Sequence, residues 1–117
     1  MQEISIKVGY GAAYPGEAHN YRTVKFIGRE LASVTTYDEA EHKDDRGTDY
    51  TLYQTRKGKL LLHVFRWTRW QGERGEAWYQ LFDSLSEIKD KYPNVPHQLF
   101  NEAAEKLGED WVEFLDV

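Results

Sequence analysis

The chain has 117 residues, no cysteine and a formal net charge of −5, and this length predicts a single domain over 1–117. The missing cysteine excludes disulfides, thiolate metal sites and a cysteine nucleophile. The first residues lack the basic and apolar regions of a signal peptide, and no apolar run approaches the roughly 20 residues of a membrane span. We therefore expect a cytoplasmic protein that does not bind or span a membrane.

The first third of the chain has the pattern of β-strands. Apolar and polar side chains alternate over 3–8, which is typical of a strand with one buried face. Further strands are predicted at 21–27 and 31–37, where β-branched residues are frequent. Gly28 between them indicates a break or a bulge. A polar loop over 38–49 follows.

A hairpin is predicted in the middle of the chain. Strands at 50–55 and 59–70 flank Arg56-Lys57-Gly58, and the glycine can adopt the positive φ of a tight turn. Alternation along the second strand places Arg66 and Trp70 on one face and Trp67 and Arg69 on the other. A turn and a strand at 77–82 come next.

Two short helices follow the strand at 77–82. Ser84 and Glu87 have the spacing of a capping box, which predicts a helix start. Pro93 should end this helix, Pro96 suits the first position of a second one, and Gly108 suits its C-terminal cap.

A last strand is predicted at 111–117. The fold class is therefore α+β, an antiparallel, mainly β-sheet with two short helices inserted before the C-terminal strand.

Four short segments, in this order, resemble the bacterial EXLDI proteins, a family named for its terminal motif. They are Phe26-x-Gly28-Arg29-x-Leu31-Ala32, Tyr53-x-Thr55-x-Lys57-Gly58-Lys59, Phe82-Asp83-Ser84-Leu85 and Glu113-Phe114-Leu115-Asp116-Val117. The last departs from the family in having valine where isoleucine is usual. Longer members resemble a fusion with an N-terminal ribbon-helix-helix-like segment, which we do not expect here. The resemblance implies no reaction, cofactor or catalytic residue.

Charge is unevenly distributed along the sequence. Residues 50–74 contain six lysines and arginines and one carboxylate, whereas 83–117 contain nine carboxylates and three lysines. Guanidinium groups pair with carboxylate or phosphate, and tryptophan and arginine are enriched at the centres of protein interfaces. The predicted binding residues are Arg66, Trp67, Arg69, Trp70, Arg74 and Lys57. Alternatively, the tryptophans cap the core beneath arginine stems.

Two carboxylates fall within the apolar C-terminal strand. Glu113 and Asp116 would be costly there without a partner, so we predict a structural ion pair with Arg29 or Arg66. An enzyme would have to use these carboxylates with an arginine or with His63, which is otherwise expected to be a hydrogen-bonded core histidine.

The sequence has no zinc-ligand spacing, phosphate-binding glycine loop or nucleophile elbow, and we predict no metal, no cofactor and no catalytic residue. The leading hypothesis is a non-enzymatic binding or regulatory module of a bacterium, phage or mobile element that docks a protein partner. Alternatives are a sensor of a small anion or nucleotide, nucleic-acid binding, a homodimer, or a small enzyme.

Overall fold

The computed structural model describes residues 1–37 and 45–108, which form five strands followed by two helices. The elements are β1 (Gln2–Tyr10), β2 (Asn20–Tyr37), β3 (Arg46–Thr55), β4 (Leu60–Thr68), β5 (Glu76–Phe82), α1 (Leu85–Lys91) and α2 (His97–Leu107). The fold is α+β and mostly β, as predicted. Both helices follow the last described strand, and the strand predicted at 111–117, with Glu113 and Asp116, lies outside the described residues.

The strand prediction was wrong at Gly28, because β2 is one strand of 18 residues. Gly28 pairs with Thr55 of β3, and a Cβ there would lie 2.5 Å from the backbone oxygen of Gln54. The glycine therefore permits close approach of two strands rather than ending one. The irregularity lies between Glu30 and Ala32, where the pairing register shifts by one residue.

Neighbouring strands pair antiparallel in the order β1-β2-β3-β4-β5, and β1 returns to β5 to close a barrel. This closing ladder comprises two residue pairs, Gly9 with Ala77 and Tyr10 with Glu76. The seam between β1 and β5 is therefore paired at one end of the barrel. That end also carries the loops over 11–19 and 69–75.

One face of the sheet packs against the two helices. Along β4, Leu60, Leu62 and Val64 belong to the same buried cluster as Leu99 and Phe100 of α2. Full burial of such a side chain contributes about 1.5–3 kcal/mol, so this helix-covered face is the main source of stability.

The turn and cap signals of the hairpin and the helices are confirmed, but β3 begins at Arg46, inside the loop predicted over 38–49. Gly58 has φ of 87° in the β3–β4 turn. The Ser84 hydroxyl accepts a hydrogen bond from the Glu87 amide at the start of α1. Gly108 caps α2 with φ of 72°. Pro96 lies one position earlier than predicted, because it precedes the first helical residue and serves as the N-cap.

Arg29 contacts α2 from β2. Its guanidinium donates to Gln54 Oε1 at 2.9 Å and to the Lys106 carbonyl at 3.2 Å. These bonds fasten the end of α2 to the sheet. The predicted pairing of Arg29 with Glu113 or Asp116 involves carboxylates outside the described residues.

Candidate binding surface

Five of the six predicted binding residues lie at the closed end of the barrel. Arg66 and Trp67 lie near the end of β4, which finishes at Thr68, and Arg69, Trp70 and Arg74 belong to the loop that follows. The strand predicted to 70 was therefore too long, and its alternation of faces does not extend to Arg69 and Trp70. Lys57 does not join them, because it lies in the turn that begins β4, about 30 Å away along the strand at about 3.3 Å per residue. Sequence proximity placed it in the set, but strand direction separates it.

Trp67 is a partly buried platform rather than an exposed contact. Its indole packs edge-on against Tyr37, with ring centroids 6.0 Å apart, and its Nε1 donates to Asp49 Oδ1 at 3.2 Å. Gly47 lies against the same ring, since a Cβ there would be 2.5 Å from Trp67 Cζ2. The Arg69 guanidinium lies 5.7 Å from the ring centroid, so Trp67 supports this exposed arginine from below.

The loop after β4 is ordered by a carboxylate that the sequence analysis did not identify. Glu73 accepts two hydrogen bonds from Arg46, at 2.9 and 2.7 Å, and one from the Thr68 hydroxyl at 2.6 Å. Hydrogen bonds from Arg46 and then Thr68 hold the pKa of Glu73 below its ordinary value. The Thr68 hydroxyl in turn accepts from the Trp70 amide at 3.2 Å, which fixes the backbone that carries this indole.

Arg74 joins the two loops of the closed end. Its guanidinium forms an ion pair with Glu17 and donates to the Gly11 carbonyl at 3.2 Å. The hydrogen bond from Arg74 holds the pKa of Glu17 below its ordinary value. Backbone bonds from Gly72 to Ala13 and from Gly11 to Gly75 add to this connection. Arg74 therefore has a structural role here, and its charge is already matched.

The exposed side chains at this end of the barrel border two adjoining depressions. A groove of about 400 Å³ between the two loops is lined by Tyr14, Arg69 and Trp70 among others. An adjoining polar depression of about 260 Å³ includes Arg66, and Thr68 borders both. We call Tyr14, Arg66, Arg69 and Trp70 the loop-end surface.

Aromatic exposure is concentrated at this end. Tyr14 is 59% exposed and Trp70 46%, while Arg66 and Arg69 are both exposed. Tyr10 and Tyr37 are also about half exposed and lie at the same end of the barrel. Large aromatic rings in water favour contact with another molecule.

A second feature that sequence reasoning missed is a pocket along the β1–β5 seam, which we call the seam pocket. Its walls include Ile6, Lys7, Tyr21, Tyr53, His63 and Phe65. Alternation placed His63 and Phe65 on one face of β4, but nothing local indicated that β1 and β2 would meet them. His63 is only partly buried, and its Nε2 lies 2.7 Å from the Lys7 carbonyl oxygen.

Within 1–37 and 45–108, no group of three or more metal-binding side chains occurs. No helix in those ranges is long and apolar enough to cross a membrane.

No protein-family model, curated protein or solved structure matches the chain. The resemblance to the EXLDI proteins therefore stays a prediction.

Proposed function

We propose that this protein is a non-enzymatic binding module that docks a protein partner on its loop-end surface. The observation that carries the proposal is the exposure of Tyr14 and Trp70 beside Arg66 and Arg69. Tyrosine, tryptophan and arginine dominate the binding energy of protein interfaces.

Preorganisation supports the proposal. Trp70 is attached to a loop fixed by Glu73 and Thr68, and the Arg46 guanidinium lies 5.2 Å from its ring centroid. A surface that is ordered before contact loses less conformational entropy on binding. The hydrogen bonds that order this loop therefore favour affinity for a partner as well as stability of the fold.

Charge indicates the chemistry of the partner. The carboxylates of Glu17 and Glu73 are matched by Arg74 and Arg46. The guanidinium of Arg66 has no ion pair among the described residues, and Arg69 contacts the Trp67 ring. The loop-end surface is therefore positive, and we expect a partner that presents carboxylates around an apolar or aromatic side chain able to enter the groove.

The test is affinity capture from lysate of the native host with three baits, read by native mass spectrometry. The baits are the parent protein, the triple variant Arg66→Ala/Arg69→Ala/Trp70→Ala, and the matched control Arg56→Ala/Lys57→Ala at the opposite end of the sheet. Binding of the recovered partner to each purified bait is then measured. We expect at least a hundredfold loss for the triple variant, since each such residue contributes on the order of 1–2 kcal/mol, and a change below about threefold for the control.

Other outcomes would replace the proposal. A partner that binds the triple variant as tightly as the parent would show that docking occurs elsewhere. Recovery of nucleic acid, with affinity that falls steeply with salt, would indicate a phosphate-binding surface. Self-association of the purified protein that the triple variant abolishes would indicate a homodimer.

A further inference from the structure

The seam pocket is a second candidate site, separate from the loop-end surface. It has a volume of about 220 Å³ and receives residues from all five strands. The backbone pairing of β1 with β5 is recorded at Gly9 and Tyr10. Beyond this ladder, β1 contributes Ser5, Ile6 and Lys7 to the pocket walls.

Volume limits the size of the occupant. An apolar cavity of about 150 Å³ accommodates benzene, whereas pockets for drug-sized ligands start at about 300 Å³. The seam pocket lies between these values. It therefore suits a molecule with one ring and a small substituent.

The walls are aromatic. Tyr21 meets Phe65 edge-on, with ring centroids 6.5 Å apart, and Tyr53 meets Phe26 in the same way at 5.3 Å. Burial raises the pKa of Tyr21 and of Tyr53, the latter with a contribution from the nearby charge of Glu30. Partly desolvated rings of this kind favour a flat aromatic occupant in edge or offset contact.

Two polar groups border these rings. A carbonyl oxygen can only accept, so the hydrogen bond between His63 and the Lys7 carbonyl places a proton on His63 Nε2. In the neutral ring, Nδ1 is then an acceptor. The Lys7 ammonium lies 5.8 Å from the Tyr21 ring centroid and forms no ion pair among the residues that the structure describes. It provides a positive charge beside one aromatic wall.

We propose that the seam pocket binds a one-ring aromatic acid, with the ring held among Tyr21, Tyr53 and Phe65 and the acidic group directed to Lys7. The cation selects an anionic substituent, and the pocket volume suits one ring with a small substituent. This proposal is independent of the loop-end surface, because the two sites share no wall residue among those named for them.

Amide chemical-shift titrations with benzoate and 4-hydroxybenzoate test the site, with benzyl alcohol as the uncharged analogue. We expect saturable shifts of residues around the seam pocket and a dissociation constant for an acid below about 1 mM, within reach of a ligand of this size. Lys7→Met keeps the side-chain length but removes the charge. It should weaken acid binding about fivefold and leave benzyl alcohol binding unchanged.

Two further variants make the result decisive. Ala77 is buried and lines the pocket. The substitution Ala77→Leu should fill the pocket and abolish acid binding, and circular dichroism checks that the variant keeps the native fold. Lys25→Met removes an exposed charge from the neighbouring strand and should have no effect.

Absence of saturable binding by both acids, shifts centred on the loop-end surface, or equal effects of Lys7→Met and Lys25→Met would each overturn the proposal. The comparison of the two lysine variants remains valid if Ala77→Leu does not fold.

Discussion

The two faces of β4 differ in how completely they are covered. Leu62 and Val64 lie beneath the helices and are essentially inaccessible to water, at 0% and 2% exposure, whereas His63 and Phe65 are only partly buried on the opposite face. The strand therefore contributes Leu62 and Val64 to the core cluster and His63 and Phe65 to the seam pocket. Leu61, on the same face as His63, is also buried, at 3% exposure. Over 62–65, core residues and pocket residues therefore alternate with the pleat of a single strand.

The helices account for this difference. Residues of α1 and α2 join the buried cluster on one face, while the opposite face is covered only where the curling sheet brings β1 and β2 over it. A region that is incompletely filled can accept a ligand without first losing packing. Four predictions address this comparison, from the largest expected effect to the smallest.

Removal of a leucine from the helix-covered face should have the largest effect. Leu62→Ala should lower the free energy of unfolding by about 2–5 kcal/mol, because it leaves a closed cavity in a packed cluster. Denaturant titration measures this loss. The matched control is Leu81→Ala on the adjacent strand, where the side chain is 51% exposed and the expected change is within about 0.5 kcal/mol.

Removal of a larger side chain from the seam-pocket face should have a smaller effect. Phe65→Ala should cost about 1–2 kcal/mol, since its partly exposed ring loses less buried apolar area and leaves an enlarged open pocket. The same titration gives the value. A loss equal to that of Leu62→Ala would show that the two faces are equally part of the core.

The cap of α1 should contribute only to the helix-covered face. Ser84→Ala removes the acceptor for the Glu87 amide and should lower stability by about 1 kcal/mol. Binding of benzoate at the seam pocket should stay unchanged in chemical-shift titrations. Ser86→Ala, at an exposed position within α1, is the control and should change stability by less than about 0.5 kcal/mol.

Protonation of Glu73 at the closed end of the barrel should lower stability by the smallest amount of the four changes. Because the pKa of Glu73 is lowered below the ordinary 4.5 in the native protein, the unfolded chain binds more protons in acid. The stabilisation by the Glu73 carboxylate is complete above about pH 4.5 and is lost as the pH falls through the pKa of Glu73 in the native protein. Thermal midpoints measured over this range should fall less steeply for Glu73→Gln than for the parent.

Local rules predicted the elements whose signals act within a few residues. The turn at Gly58, the cap at Ser84 and the end of α2 at Gly108 depend on φ preference and neighbouring hydrogen bonds, and the structure contains all three. Gly28 was misinterpreted because a glycine that ends a strand and one that admits a close neighbour have the same sequence signal.

The candidate surface was predictable only in part. Arginine and tryptophan content identified Arg66, Arg69 and Trp70, but not the pairing of Arg46 with Glu73 across 27 positions of sequence. Arg74 was predicted to bind a partner because it belongs to the basic, tryptophan-rich stretch. The sequence did not show that Arg74 pairs with Glu17, which lies in a distant loop. Opposite charges are plentiful in the sequence, and only chain topology determines which of them meet.

The sequence by itself determined the α+β class, the alternating faces of β4 between Leu60 and Thr68 and the order of the described strands before the helices, because these follow from side-chain periodicity and local capping. Tertiary structure alone decided where β1 meets β5, which carboxylates pair with Arg46 and Arg74, and that Tyr21, Tyr53 and Phe65 border one pocket. These features depend on contacts between residues far apart in the chain, and their free energy is not encoded in any single segment.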